Sequence, residues 1–279
     1  MRVLITGAYG RCGTAIIDNL DDSEDYEFTY LNRSDRSSED PYGGYDTQLA
    51  DVADYDAMAP AFEGQDAVVH LAAHPDVDAP WPDILQSNII GMYNALEAAR
   101  EHGVETFVFA STNHVMGMYE EEFAPELYEL GFDLTVDHTD PVRPDSYYGS
   151  SKSFGEDLGR YYVENFDAPT QFYSLRICSV RSSNYDHPYG DAEYGVENGE
   201  FERGSDAYER NVKRLKCTWQ SRRDFAHQVE QCLRDTDVNY DIFYGVSDND
   251  RRWFDIEHAR DVIGYQPQDN AEDWERPPS

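Results

Sequence analysis

The sequence predicts an α/β fold, a doubly wound parallel sheet with helices on both faces and a small lobe toward the carboxyl end. Three observations predict it. Short apolar runs of strand length alternate with helically periodic segments through the first 180 residues. A glycine-rich turn follows the first apolar run. After residue 180 the chain becomes rich in Tyr, Asp, Glu, Gly and Asn, so a different kind of structure is expected there.

The first 180 residues contain the elements of the predicted sheet. Strands are expected at residues 2–6, 26–31, 67–71, 106–111 and 171–180, with a first helix at 14–20. A second helix is expected before Gly103, a typical stop signal, because apolar side chains recur there at helical spacing: Ile84, Leu85, Ile89, Met92, Leu96 and Ala99. A long helix is expected from Tyr148 to about Phe166.

The last hundred residues are less regular. Residues 181–211 show no clear period, so they form either a long surface excursion or part of a small second lobe. A helix near 225–233, a strand at 242–244 and a helix at 256–263 are expected to close the chain.

Composition excludes several classes of function. The chain has 279 residues, 56 acidic and 22 basic, and a formal net charge of −34. Such a charge repels nucleic acid, and no stretch approaches the roughly 18 apolar residues of a membrane span. The acidic residues are spread along the chain and only Lys152, Lys213 and Lys216 are lysines, which favours a high-salt cytoplasm over an ordinary acidic protein. A strand begins at once, so no signal peptide is expected. The 4 cysteines lack C-x-x-C spacing, which predicts a reducing compartment without structural zinc.

The turn after the first strand has glycines at positions 7, 10 and 13. The first permits a tight turn, the second lets the backbone approach a pyrophosphate, and the third lets helix and strand pack closely. Phosphates would then lie at the helix amino end. A strand–turn–helix context favours a dinucleotide site over a glycine turn without a ligand. Residues 1–180 are therefore predicted to form a Rossmann NAD(P)-binding domain, and 181–279 an interleaved substrate-binding lobe.

The end of the second strand, Asn32-Arg33, bears on the choice of cofactor. An NAD site usually places an acid there to accept hydrogen bonds from the ribose. Here Asn32 is neutral and Arg33 cationic, which suits a 2′-phosphate, with Arg36 in support. NADP is therefore slightly favoured over NAD, unless Arg33 is merely a solvated side chain. Asp51-Val52 would hold the adenine edge. The other residues predicted to bind cofactor are Gly7, Tyr9, Gly10, Arg11, Cys12, Gly13, Leu71, Ala72, Ala73, Tyr148, Lys152 and Ile177.

Tyr148 and Lys152 form a Y-x-x-x-K pair, which lies on one face of a helix. The ammonium and an oxidised nicotinamide would lower the phenol pKa from about 10, producing a general base suited to an alcohol that loses hydride. Lys152 is one of only three lysines, which argues against a chance match.

Several motifs together resemble the extended short-chain dehydrogenase/reductases, and among them the uronate dehydrogenases and the archaeal sugar dehydrogenases of halophiles. They are the glycine turn, residues 84–91, 109–114 and 143–145, the segment Tyr148–Glu156 and residues 266–272. The resemblance covers most of the chain and breaks down at about 120–140 and 185–211, which look like insertions.

The resemblance implies roles for individual residues. Thr112 would hydrogen-bond the reacting oxygen, and Asn113 and His114 would contact sugar hydroxyls. Asn88 would support the catalytic lysine through backbone or water. Ser179 would line the substrate pocket, and Arg214, five residues before Trp219, matches an arginine that binds an anionic group. Pro75 stands where uronate dehydrogenases have a substrate-contacting serine, so the distal end of the substrate is expected to differ.

The implied chemistry is oxidation of C1 of a cyclic sugar (a uronate, an aldose or a sugar phosphate) to the lactone. No metal is expected, since the eight histidines show no metal-ligand spacing. A nucleotide-sugar epimerase or dehydratase of the same fold and a non-catalytic dinucleotide sensor are the alternatives. The resemblance also implies a homodimer, paired through helices at 83–102 and 148–166.

Residues 203–223 form a basic segment in an acidic protein. Two interpretations stay open: an edge that binds a carboxylate or sugar phosphate, and side chains paired with the acidic surface. Its basic residues are Arg203, Arg210, Lys213, Arg214, Lys216, Arg222 and Arg223.

Overall fold

Seven parallel strands form one sheet in a computed structural model that describes residues 1–278. The strand order is β3-β2-β1-β4-β5-β6-β7, so the direction of winding reverses between β1 and β4. This is the predicted Rossmann topology. The strands are β1 (Arg2–Thr6), β2 (Glu27–Asn32), β3 (Thr47–Leu49), β4 (Ala67–His70), β5 (Thr106–Thr112), β6 (Gln171–Ile177) and β7 (Tyr240–Gly245).

Helices cover both faces of this sheet. One face packs against α1 and α9 through side chains that include Ile16 and Phe225. The other packs against α4 and α6 through side chains that include Leu96 and Tyr162. The helices are α1 (Arg11–Leu20), α2 (Tyr55–Met58), α3 (Trp81–Ile84), α4 (Gly91–His102), α5 (Gly117–Phe123), α6 (Tyr147–Asn165), α7 (Gly190–Glu197), α8 (Asp206–Thr218), α9 (Arg222–Arg234) and α10 (Glu257–Ile263).

The predicted strands and helices are present in the structure, but their first and last residues differ from those predicted. The helix expected from residue 14 begins at Arg11, because the glycine turn leads directly into it. The strand expected at 171–180 ends at Ile177. The helix before Gly103 includes a π-helical segment, Leu85–Ile90, between α3 and α4, and Gly103 ends it with a φ of 69°. A left-handed backbone of this kind favours glycine.

The carboxyl-terminal third is divided between the sheet and an added layer. β7 is the edge strand of the main sheet, and α9 packs against one face of that sheet. Residues after 180 therefore belong to the same core. The region without clear period contains α7 and α8, which pack on each other through Ala192, Tyr208 and Val212. A further apolar cluster, which includes Met116, Leu127 and Trp253, joins the stretch 120–140 to the chain after β7.

No helix among residues 1–278 is both long enough and apolar enough to span a bilayer.

Candidate active site

A cavity of about 680 Å³ opens at the carboxyl ends of the central strands, where the winding of the sheet reverses. Ligands of open α/β sheets bind at such a switch point. The structure brings most of the predicted site residues into its lining: Gly7, Gly10, Arg11, Cys12, Gly13, Asn32, Leu71, Ala72, Ala73, Pro75, Thr112, Asn113, His114, Tyr148, Lys152, Ile177, Ser179 and Arg214.

Five of the predicted residues are not part of this lining: Tyr9, Arg33, Asp51, Val52 and Asn88. The Tyr9 phenol is hydrogen-bonded to Thr47, and the Arg33 side chain is exposed. The Asp51 carboxylate accepts the Ala53 N–H at 2.9 Å, and the Val52 carbonyl accepts from the Asn94 amide. The adenine-edge role of Asp51-Val52 stays a prediction.

Two glycines of the turn are required by close packing. Gly7 has a φ of +70°, and a Cβ there would lie 2.8 Å from the Ala72 backbone nitrogen. A Cβ on Gly13 would lie 2.1 Å from the Ala8 carbonyl oxygen. These contacts hold the start of α1 against β1 and the loop after β4, as the glycine spacing predicts.

The amino end of α1 faces the cavity and is suited to an anion. Gly10 occupies the N-cap position, and within residues 1–278 no side chain caps this helix. Its first turn contains no acidic residue, and Arg11, Cys12 and Gly13 line the cavity. Uncapped N–H groups and the helix dipole attract a phosphate at such a position.

Tyr148 and Lys152 lie in the first turns of α6, facing the end of β5. Ser146 caps this helix by accepting the Gly149 N–H at 3.0 Å. The buried Lys152 Nζ donates a hydrogen bond of 2.6 Å to the Ala110 carbonyl and lies 5.8 Å from the centre of the Tyr148 ring. The predicted pair is therefore formed, with the lysine anchored to the strand that carries Thr112.

In the protein without cofactor, burial opposes the ionisation of both side chains of this pair. Burial raises the pKa of Tyr148 to about 12, although contact with the Thr112 hydroxyl opposes the rise. Burial also lowers the pKa of Lys152 to about 8. The ammonium alone therefore does not make the phenol a stronger acid, because removal from water disfavours both charged forms. An additional positive charge is needed to favour the phenolate.

His114 is oriented by a carboxylate at the edge of the cavity. Its Nδ1 lies 2.7 Å from an oxygen of Asp145. Burial alone would raise the pKa of Asp145, but the hydrogen bonds from His114 and Ser146 hold it below its ordinary value. The negative carboxylate fixes the imidazole in place beside the Tyr148 ring.

Asn88 forms no direct hydrogen bond with Lys152, and its support of the lysine through backbone or water stays a prediction. Its amide nitrogen donates to the Ser151 hydroxyl at 3.0 Å, and its oxygen accepts the His74 N–H at 2.7 Å. The Ser151 hydroxyl in turn donates to the Tyr148 carbonyl at 2.7 Å. Asn88 thus joins the first turn of α6 to the loop after β4 and is a positioning residue. It lies in the π-helical segment, a feature often found at functional sites.

Two arginines in the cavity lining, Arg214 and Arg181, are each paired with a carboxylate. Arg214 makes a bidentate contact with Glu120, at 2.6 and 3.1 Å, and Tyr128 also donates to this carboxylate. Burial alone would raise the pKa of Glu120, but Arg214 holds it below its ordinary value. A second pair joins Arg181 to Asp191, with one contact of 2.6 Å.

Sequence reasoning missed these acidic partners and Arg181. Glu120 lies in a stretch that departs from the resembling family, so no motif marks it. It is separated from Arg214 by more than ninety residues of chain. Ser179 lines the cavity as predicted, with its hydroxyl 3.0 Å from that of Thr218.

Six of the seven basic residues in the segment 203–223 are paired with acidic side chains, and the exposed Arg210 forms no ion pair within residues 1–278. This arrangement supports the second interpretation, while binding of an anion by Arg214, which lines the cavity, stays a prediction. The pairs are Arg203 with Glu193, Lys213 with Glu129, Arg214 with Glu120, Lys216 with Glu272, Arg222 with Asp18 and Arg223 with Asp269.

The fold and the site together define a dinucleotide-binding protein of the extended short-chain dehydrogenase/reductase class. Residues 3–228 match the NAD dependent epimerase/dehydratase family, and the chain belongs to this family.

Similar proteins include several sugar dehydrogenases. The chain is 38% identical over 276 residues to the NAD-dependent glucose-6-phosphate dehydrogenase of Haloferax volcanii, which covers 98% of this chain and 95% of that protein. It is 34% identical over 275 residues to the L-arabinose 1-dehydrogenase (NAD(P)(+)) of the same organism, with 97% of each covered. The crystal structure of uronate dehydrogenase from Agrobacterium tumefaciens has a TM-score of 0.73 at 28% identity, and the match covers 100% of this chain and 90% of that one.

Proposed function

We propose that this protein oxidises C1 of a cyclic sugar to the lactone with NAD(P)⁺, with Tyr148 as the general base. The observation that carries the proposal is the meeting of Tyr148, Lys152 and Thr112 in the cavity that also contains the glycine turn. Similar proteins named as dehydrogenases of glucose 6-phosphate, arabinose and uronates support the substrate class.

The residues of the turn suit a dinucleotide. The uncapped first turn of α1 would hold the pyrophosphate, and glycine at position 10 places no side chain between the backbone and the phosphates. A bound oxidised dinucleotide would supply the hydride acceptor and a positive charge.

The side chains of this chain then handle the proton. Tyr148 takes the proton of the anomeric hydroxyl as the C1–H bond breaks, and the C1–O bond becomes the lactone carbonyl. Thr112 donates a hydrogen bond to the reacting oxygen and holds it near the phenol. Lys152, anchored to Ala110, stabilises the phenolate by its charge.

The pairing of Arg214 favours an uncharged sugar over an anionic one. A carboxylate or phosphate that approached Arg214 would meet the negative charge of Glu120, which already takes a bidentate contact. Arg181 is likewise occupied by Asp191. We therefore infer that a neutral aldose is the preferred substrate and that the two pairs present hydrogen-bonding groups to its hydroxyls.

The cofactor proposed is NADP at least as readily as NAD. Asn32 lines the cavity, and the neighbouring Arg33 is exposed and free to turn toward a 2′-phosphate. Asn32 is neutral, so no carboxylate at this position repels that phosphate. Its amide donates a hydrogen bond to the Ser34 carbonyl.

We also infer a homodimer in a high-salt cytoplasm. Support for the dimer is a set of exposed apolar side chains on α4, α6 and the segment before α4: Trp81, Ile90, Tyr93, Tyr147, Phe154 and Tyr161. Burying such a face against a second copy would remove it from water. Light scattering at micromolar concentration in molar salt is expected to give twice the mass of the chain, and a monomer would contradict the inference.

The experiment that tests the function is a panel of sugars in molar KCl, with reduction of NAD and NADP followed at 340 nm. Neutral pentoses and hexoses, glucuronate, galacturonate and glucose 6-phosphate are compared. Net reduction with a neutral aldose, and lactone as the product, are expected. An epimerase would convert a nucleotide sugar without net reduction, and a sensor would bind the dinucleotide without turnover of any sugar. Preference for an anionic sugar would overturn the inference from Glu120 while leaving the reaction class intact.

A further inference from the structure

Three metal-ligating side chains come together away from the catalytic cavity. Asp241 lies near the amino end of the edge strand β7, His258 lies in α10, and His138 lies in the segment between α5 and α6. The catalytic cavity lies at the carboxyl ends of the strands. Arg160, which lines an open cavity beside this cluster, is twelve residues beyond Tyr148 on α6, about 18 Å along the helix.

The three side chains converge closely. One ligand atom from each lies within 4.8 Å of those of the other two. His258 Nε2 is 3.0 Å from each carboxylate oxygen of Asp241. The imidazole of His138 stacks on that of His258, with ring centres 3.8 Å apart and an angle of 13° between the planes.

One nitrogen of the cluster lacks a partner. His138 Nδ1 is shielded from solvent and forms no hydrogen bond with any residue in the range 1–278. A shielded polar atom without a hydrogen-bond partner destabilises the folded protein. Stacking on His258 explains the position of the His138 ring, but it gives Nδ1 no hydrogen-bond partner. The hydrogen bonds between His258 and Asp241 therefore do not account for the whole arrangement.

We propose that His138, Asp241 and His258 bind a divalent transition-metal ion, zinc in the first instance. Two imidazoles and a carboxylate are a common zinc ligand set, with a water in the fourth position. Ligands at about 2.0–2.1 Å in a tetrahedron lie about 3.3 Å apart, close to the separation of His258 Nε2 and Asp241. Because the lone pair of an imidazole nitrogen lies in the ring plane, the His138 ring would turn out of its stack on His258 to share the ion. The nitrogen that faces the ion must carry no proton.

The ion would have a structural role. Val136 already pairs with the chain after β7, accepting the Asp255 N–H at 3.0 Å and donating to the Trp253 carbonyl at 2.8 Å. The Tyr244 hydroxyl donates to the Asp137 carbonyl. A metal bound by His138, Asp241 and His258 would link the same segment to β7 and α10. This assigns a role to part of the stretch 120–140, which departs from the resembling family.

The test uses the full chain, dialysed against a chelator and kept in molar KCl with excess Mg²⁺ to occupy weak carboxylate sites. Zinc is titrated by calorimetry, and thermal unfolding is followed with and without it. We expect one ion per chain and a rise in Tm of at least about 4 °C at a zinc concentration 100 times the Kd. Turnover of sugar should not change, because the site is remote from Tyr148.

Three variants identify the ligands. His138→Ala and Asp241→Asn are expected to lower zinc affinity at least tenfold and to remove the Tm shift. His102→Ala, an exposed histidine at the end of α4, serves as the matched control and should bind as the parent does. Absence of zinc binding by the parent chain would overturn the proposal. Unchanged binding by both His138→Ala and Asp241→Asn would do so too, since the ion would then lie elsewhere.

Discussion

The two ends of the catalytic cavity are built in different ways. At the cofactor end, residues 7–13 and the ends of β2 and β4 present backbone groups and small side chains. At the end that we propose to bind substrate, Arg214 lies in the lining and is paired with Glu120 from a distant part of the chain. Arg181 also lies in the lining and is paired with Asp191, ten residues further along the chain. One end leaves its positive potential open to an anion, and the other cancels its charges internally.

The two ends of the cavity are therefore expected to treat an anionic ligand differently, in a protein of net charge −34. A helix amino end attracts phosphate through fixed N–H groups, and no side chain must move to expose them. An arginine already held by a carboxylate must exchange one anion for another, so it adds little affinity for an anionic ligand. The cofactor end should therefore bind anions and the substrate end neutral groups. Of the five predictions below, those on Arg33 and Glu120 test this expectation directly.

The largest effect is expected at Tyr148, where the two ends meet. Tyr148→Phe removes the proton acceptor but retains the ring, so kcat should fall by about 10²–10⁴-fold while the Kd for cofactor changes little. Stopped-flow turnover and fluorescence titration of NADP measure the two quantities. The neighbouring Tyr147→Phe, an exposed position on α6, is the matched control and should retain full activity.

The pH profile provides a second readout for the same residue. With the phenol pKa raised to about 12 in the cofactor-free protein, only the ionised minority acts as a base. The rate of the parent enzyme should therefore rise with pH, close to tenfold per unit on its acid side, until the pKa in the cofactor complex is reached. A residual rate of Tyr148→Phe that rises equally would exclude Tyr148 as the base.

Low salt is expected to unfold the protein, because most acidic side chains lie outside the matched pairs. The Debye length is about 3 Å at 1 M salt and grows toward about 10 Å at 0.1 M, so repulsion among the carboxylates increases. Thermal unfolding should show a lower Tm below a few tenths molar KCl, with loss of structure at the lowest salt. An unchanged Tm between about 0.1 and 2 M KCl would contradict the high-salt interpretation.

A smaller effect is expected at the cofactor end. A charge-assisted hydrogen bond from Arg33 to the 2′-phosphate would contribute about 1.5–3 kcal/mol, about ten- to a hundred-fold in affinity, and salt reduces part of it. Arg33→Ala should therefore lower the ratio of kcat/KM for NADP to that for NAD by about tenfold. Arg210→Ala, on the exposed face of α8, serves as the control. A tenfold preference of the parent for NAD would show that Arg33 does not bind a 2′-phosphate.

The smallest effect is expected at the substrate end. Glu120→Gln frees the Arg214 guanidinium, so kcat/KM for glucuronate or glucose 6-phosphate should rise several-fold relative to that for a neutral aldose. Glu122→Gln, which removes an exposed partner of Arg143, is the matched control. If the parent already prefers an anionic sugar and Glu120→Gln leaves that ratio unchanged, the two ends of the cavity do not differ in the way described.

The sequence by itself determined the sheet and the cofactor end. Alternating apolar runs predict parallel strands, and the glycine spacing predicts the turn, because backbone geometry depends on local residue type. The Tyr148–Lys152 pair could be predicted for the same reason, since four residues make about one helical turn. α7 and α8 were not predicted. The chain around α7 is rich in glycine and acidic residues, whereas α8 buries Tyr208, Val212 and Leu215 at helical spacing, a short pattern among many charged residues.

Only the tertiary structure decided which charges meet. Glu120 neutralises Arg214, and His138 stacks on His258, although each pair joins segments far apart in the chain. Burial of the phenol raises the pKa of Tyr148 in the protein without cofactor, and this opposes the fall expected from Lys152 and an oxidised nicotinamide. Electrostatic energy depends on distance in space and on removal from water, and neither quantity can be read from spacing along the sequence.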